Sequence, residues 1–83
     1  MKPGDVLNFD VDLDCIGLLC PLPVLRARKR LLAMMAGQVL RLRATDAMAA
    51  VDLPHFCGGA GHVFLGASVA DGTAAYFIRR GPA

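Results

Sequence analysis

At 83 residues the chain is long enough for one small hydrophobic core and too short for two, and an apolar share of 55% excludes general disorder. No apolar run free of charges and prolines reaches the ~18 residues of a membrane span, and three cysteines are too few for a disulfide-scaffolded module. The net charge of +2 is unevenly spread: residues 1–14 carry −3, residues 15–45 carry +6 and residues 46–83 carry −1.

The middle third should therefore present a positive face, suited to an acidic protein partner or to nucleic acid. The opening Met1-Lys2-Pro3-Gly4-Asp5 lacks the apolar stretch of a secretory signal. With an odd cysteine count, this points to a cytoplasmic protein with reduced thiols. A single domain over residues 1–83 is expected, with no linker, internal repeat or low-complexity segment.

Residues 7–14 alternate, with Leu7, Phe9, Val11 and Leu13 on one side and Asn8, Asp10, Asp12 and Asp14 on the other. That is the period of a strand with one buried face. Cys15 continues the buried parity and reads as a small core residue. Gly17 marks a turn.

The organising stretch follows: Cys20-Pro21-Leu22-Pro23. Two prolines this close would break a helix interior, but in a first turn the missing N–H groups have no intrahelical partner to lose. With Cys20 as N-cap, Pro21 falls at N1 and Pro23 at N3, and Leu22 offers a free N–H beside the sulfur. A helix N-terminus favours an anion by an amount on the order of one pKa unit. Such a shift raises the thiolate share at pH 7 from a few per cent to roughly a quarter. The sequence thus predicts a reactive cysteine on a rigid helix tip.

The helix is predicted from Pro21 to about Ala36, with Val24, Ala27, Leu31, Met34 and Met35 on one arc and Leu25 and Leu32 at its edge. Arg26, Lys29 and Arg30 lie opposite, in solvent. Arg28 falls within the apolar arc, so its long side chain must reach out past it toward the helix N-terminus.

Gly37 closes this helix, and Gln38 to Ala44 read as a second strand. A strand, a helix and a strand in this order form a right-handed parallel crossover. Asp46 or Thr45 can cap a helical turn through Ala47–Val51. Pro54 should then interrupt or restart that helix, with Asp52 as a second cap, and Gly61 should end it. Val63–Val69 and Thr73–Arg80 make two strands joined around Asp71-Gly72, and the tail Gly81-Pro82-Ala83 should fray. The expected fold is α+β: a βαβαββ two-layer sandwich, with two helices on one face of a four-stranded mixed sheet.

Asp14-Cys15-Ile16-Gly17-Leu18-Leu19-Cys20-Pro21-Leu22-Pro23 resembles the D-x-x-G-L-x-C-P-x-P signature of the TusA/SirA-like sulfur carriers. Arg28-Lys29 resembles that family's basic pair in the first helix. Thr45-Asp46, Asp52-Leu53-Pro54-His55-Phe56-Cys57, Gly61-His62 and Phe77-Ile78-Arg79-Arg80 resemble its later elements. Ala47 stands where the family has Pro after Asp46, and Leu19 and Leu22 give the site apolar flanks.

The resemblance implies the same βαβαββ fold and a Cys20 that accepts sulfane sulfur as a persulfide. The donor would be a cysteine desulfurase or a rhodanese, and the sulfur would pass to a downstream acceptor protein. The routes it implies are tRNA thiolation, molybdenum-cofactor enzyme maturation or sulfur metabolism. No cofactor, no direct membrane contact and a monomer when free are expected. In this reading Arg26, Arg28 and Lys29 hold the anion or dock an acidic partner, while Asp14 and Gly17 shape the turn before Cys20. Whether the chain is an enzyme or only a carrier stays open.

Three other readings compete. A metal site would draw on Cys15, Cys20, Cys57, His55 and His62, but their spacings lack the tight C-x₂₋₄-C pairs of structural zinc, so no metal is expected. A thiol redox role would use Cys57 or Cys15 to resolve an oxidised Cys20, and Cys57 is kept as a possible second thiol. A nucleic-acid-binding or protein-binding regulatory module would use the basic segment, although the few aromatics fall on strand positions rather than on a stacking platform.

Overall fold

The computed structural model describes residues 8–82. Four strands and two helices follow one another as β1 (Val11–Cys15), α1 (Leu22–Leu32), β2 (Val39–Ala44), α2 (Ala49–Ala60), β3 (Val63–Ala70) and β4 (Thr73–Arg79). The sheet order is β1-β2-β4-β3. β1 and β2 run parallel, joined by the α1 crossover, and β4 pairs antiparallel with both β2 and β3. The α+β sandwich expected from the sequence is the observed fold.

Strand periodicity decides which side is dry. Leu13 pairs with Leu42 and Cys15 with Ala44, and across the next ladder Leu42 faces Tyr76 and Leu40 faces Ile78. This row meets Ala27 and Leu31 of α1 and Leu53 and Cys57 of α2 in one core. The opposite parity of β1 and β2 carries charge instead: Asp12 pairs with Arg41 and Asp14 with Arg43 across the ladder. Asp12 bonds both arginines, at 2.7 Å to Arg41 and 3.0 Å to Arg43. Both helices therefore pack on one face only.

Several expectations need correction. The first strand begins at Val11, and Phe9 is exposed, with the Arg41 guanidinium 4.2 Å above its ring; Leu7 lies outside the described residues. α1 stops at Leu32, with Ala33 as its C-cap. Met34 still reaches the core, but Met35, beyond the helical repeat, is exposed. Arg28, by contrast, is exposed, as expected of a long side chain that reaches out past the apolar arc.

Pro54 does not interrupt the second helix, which runs through it from Ala49 to Ala60. Burial of Leu53 and Cys57, on either side of it, compensates for the lost backbone bond. Gly61 ends α2 in a left-handed conformation, φ 81°, as a C-terminal glycine does. The β3–β4 turn has positive φ at both Asp71 and Gly72, the demand of a two-residue hairpin.

The tail does not fray at Gly81. Its N–H donates to His62 Nδ1 at 2.9 Å and its carbonyl accepts from Arg80 Nη1 at 2.7 Å. Gly81 is buried against the turn between α2 and β3.

Candidate functional site

Parallel pairing of β1 and β2 brings their C-terminal ends side by side, and the loops that follow them meet there. That is where open sheets with parallel strands present ligand and reactive groups. Asp14 Oδ1 accepts the Ile16 N–H at 2.9 Å and turns the chain after β1, and Gly17 follows with φ 83°. The Gly17 N–H then donates to Thr45 Oγ1 at 3.0 Å, which ties the β1–α1 loop to the β2–α2 loop.

Cys20 sits at the end of this loop, joined to Pro21 by a cis peptide bond. Its N–H donates to Asp46 Oδ2 at 2.7 Å, and its thiol donates to Asp52 Oδ2 at 3.0 Å. Asp46 is engaged twice, since Oδ1 also accepts the Met48 N–H at 3.1 Å. It therefore turns the chain toward α2 and anchors Cys20, rather than capping α2 at its N-cap, Met48.

The helix start differs from the sequence expectation by one residue. Pro21 is the N-cap, so Leu22 is N1 and Pro23, which is buried, is N2. Leu22 offers no free donor to the sulfur, because its N–H is given to the Leu19 carbonyl at 2.8 Å. Pro21 and Pro23 have no N–H at all. The helix tip is therefore poor in donors where an anion would need them.

The electrostatics follow. The expectation of a depressed thiol pKa at Cys20 is overturned. The hydrogen bond to Asp52 pushes the thiol up, with partial desolvation and the charges of Asp52 and Asp46 acting in the same direction. Unloaded Cys20 is held as a neutral thiol.

Exposure separates the three cysteines: Cys20 is exposed, whereas Cys15 and Cys57 are 0% and 1% exposed. Burial pushes the Cys57 thiol up to about 11 and also raises Cys15. Neither presents a thiolate to solvent. No three His, Cys, Asp or Glu side chains group as metal ligands among the described residues.

Apolar side chains flank the thiol, and the basic side chains lie further along α1. Leu19 is 69% exposed, and Leu22 beside it is also exposed. Between α1 and the edge strand β1 lies a hollow of about 590 Å³, lined by Leu13, Leu22 and Leu25 and flanked by Arg26, Lys29 and Arg30. The side chains of Arg26, Arg28 and Lys29 form no ion pair or hydrogen bond with any described residue, so their charge faces outward.

Asp46 and Asp52 read as helix caps from local sequence, and their contacts with Cys20 were not visible there. The signal available was the parallel crossover itself. It sets Thr45-Asp46, just after β2, beside Gly17 and Cys20, just after β1.

Fold and site together define a small α+β protein that displays one exposed cysteine at the start of its first helix, in the manner of a group carrier. Comparison with known proteins sharpens this. Residues 11–80 match the family model described as sulfurtransferase TusA. The chain is 35% identical over 79 residues to the sulfur carrier protein TusA of Pseudomonas syringae, covering 95% of this chain and 94% of that one. It is 53% identical over 60 residues to a putative sulfur carrier protein of Neisseria meningitidis, covering 72% and 81% of the two chains. The crystal structure of a SirA-like protein from Desulfitobacterium hafniense superposes with a TM-score of 0.77 at 27% identity, over 87% of this chain and 99% of that one. The chain belongs to the TusA family.

Proposed function

We propose that the protein is a sulfur carrier that accepts sulfane sulfur as a persulfide on Cys20 and relays it to an acceptor protein. The observation that carries this is the separation of the thiols: of three cysteines, Cys20 alone is exposed. The family relationship supports the same reading. Loading is a thiol exchange in which Cys20 first gives up its S–H proton to solvent and its thiolate attacks the terminal sulfur of a donor persulfide. The bond between the two donor sulfurs breaks and the donor leaves as a thiolate.

A cysteine desulfurase or a rhodanese-type enzyme supplies that sulfur. The exposed leucines beside Cys20 and the outward charge of Arg26, Arg28 and Lys29 suit a donor or acceptor whose docking face is apolar at its centre and acidic at its rim. Transfer in the cytoplasm by a free monomer fits three unpaired thiols and the compact two-layer fold. Among the described residues no helix is long and apolar enough to cross a membrane. tRNA thiolation, molybdenum-cofactor enzyme maturation and sulfur metabolism are the routes such a carrier serves.

The nucleic-acid reading loses its support at the aromatics. Tyr76 and Phe77 are buried, and Phe9, which is exposed, is already covered by Arg41.

Incubation with a cysteine desulfurase and cysteine, followed by intact mass spectrometry without reductant, tests the proposal. One added sulfur, mapped to Cys20 and absent in Cys20→Ser, is expected. An unmodified Cys20 with both this donor and a rhodanese would overturn it.

A further inference from the structure

A site that only had to hold a sulfur anion would surround it with donors and positive charge. This one does the reverse. Asp52 Oδ2 lies 3.0 Å from Cys20 Sγ, and Asp46 places a second carboxylate on the Cys20 N–H at 2.7 Å. Neither carboxylate forms an ion pair with any described residue. Of the first-turn groups near the sulfur, Pro21 and Pro23 have no N–H and the Leu22 N–H is spent on Leu19.

We propose that Asp52 sets the direction of sulfur flow through Cys20, disfavouring the loaded persulfide anion relative to the hydrogen-bonded empty thiol. This rests on the carrier reading of the same residue. The empty state is a neutral S–H that donates to a carboxylate, a charge-assisted bond. The loaded state is more acidic than a thiol, so at neutral pH its outer sulfur is largely negative. That charge must sit beside Asp52 and Asp46, with no N–H of Pro21, Leu22 or Pro23 free to meet it. The equilibrium tilts toward release.

Unloading balances without any outside oxidant or reductant. An acceptor thiolate attacks the outer sulfur of Cys20–S–SH and a new bond forms to that sulfur. The bond between it and Sγ breaks, and the electron pair stays on Sγ. The outer proton travels with the transferred sulfur, which keeps its oxidation state. Sγ then takes a proton from solvent and returns to its hydrogen bond with Asp52. The carboxylate assists twice, because it also raises the share of neutral –S–SH, the form that an anionic nucleophile can approach.

The test equilibrates the protein with a defined mixture of glutathione and glutathione persulfide and reads the loaded-to-empty ratio of Cys20 by intact mass spectrometry. Asp52→Asn should raise that ratio roughly three- to tenfold at low ionic strength, the range for removing one charge beside an exposed group. It should also lower the pH midpoint of Cys20 alkylation by iodoacetamide. Asp52→Glu keeps the charge and should stay within roughly twofold of the wild type, well inside that range. About 1 M salt, where the screening length falls to ~3 Å, should move the wild type toward Asp52→Asn. A merely structural residue would not confer that salt response.

Equal loading of wild type and Asp52→Asn, or a wild-type ratio that ignores salt, would overturn the inference and leave the carrier reading standing. A wild type that never loads would overturn both.

Discussion

The close approach of Gly81 to the turn after α2 makes a sharp prediction for Gly81→Ala. A Cβ at this position would overlap the Gly61 carbonyl oxygen and lie 2.8 Å from its carbon. Gly61 cannot easily give way. It is the left-handed C-cap of α2, and its N–H is bonded to the Cys57 carbonyl at 3.0 Å. Gly81 is held on both sides, by His62 Nδ1 and by Arg80, so its retreat would break those bonds.

Overpacking of this kind costs about 1–3 kcal/mol, a large part of the roughly 5–15 kcal/mol that keeps a domain folded. For a chain of this size each kcal/mol lowers Tm by about 4–8 °C, so a fall of roughly 5–20 °C is expected. Thermal and urea denaturation followed by circular dichroism would measure it, with exposed Pro82→Ala as the control. A Gly81→Ala protein that melts with the wild type would refute the packing argument, since the tail would then be free to move aside.

Three further outcomes are expected. His62 is held below its ordinary range, first by burial and then by the Arg80 charge. Folded His62 thus binds a proton less readily than unfolded His62, and its stabilising contribution is present above about pH 6.5 and lost as pH falls. His62→Asn, which retains an acceptor for Gly81, should flatten the stability loss between about pH 7 and 5; parallel curves would count against the assignment. Asp12 is held below the usual carboxylate range by its hydrogen bond from Arg41, against partial desolvation, with Arg43 adding to the effect. Its contribution is present at neutral pH and is lost progressively as the pH falls below about 4, so Asp12→Asn should cost about 0.5–1 kcal/mol in urea unfolding at pH 7 and steadily less on further acidification. Burial pushes the Cys57 thiol up to about 11. A short iodoacetamide pulse on folded protein at about pH 8 should therefore label Cys20 and spare Cys57, as read by peptide mapping; equal labelling would show that α2 opens on that timescale.

Much of the fold was legible because its determinants are local. The alternation of Val11 to Cys15 and of Val39 to Ala44 assigns faces without knowledge of any neighbour. Asp71-Gly72 specifies a hairpin by backbone conformation alone, and Gly61 ends a helix for the same reason. Errors fell where distant packing overrides local preference. Pro54 stays inside α2 because Leu53 and Cys57 are both buried, and Gly81 is ordered because His62 and Gly61 receive it.

Cys20 stood out in the sequence because two prolines and a helix start surround it within a few residues. Its chemistry did not. Asp46 and Asp52 are 26 and 32 residues away along the chain, and from sequence both read as helix caps. Only the parallel pairing of β1 with β2, and the packing of α2 beside α1, bring two carboxylates to one sulfur. Sequence alone determines which thiol is presented, because exposure at a proline-bounded helix start is a local property of the backbone. The tertiary structure decides whether that thiol rests as an anion or as a neutral donor, because electrostatic interaction depends on distance in space and not on separation along the chain.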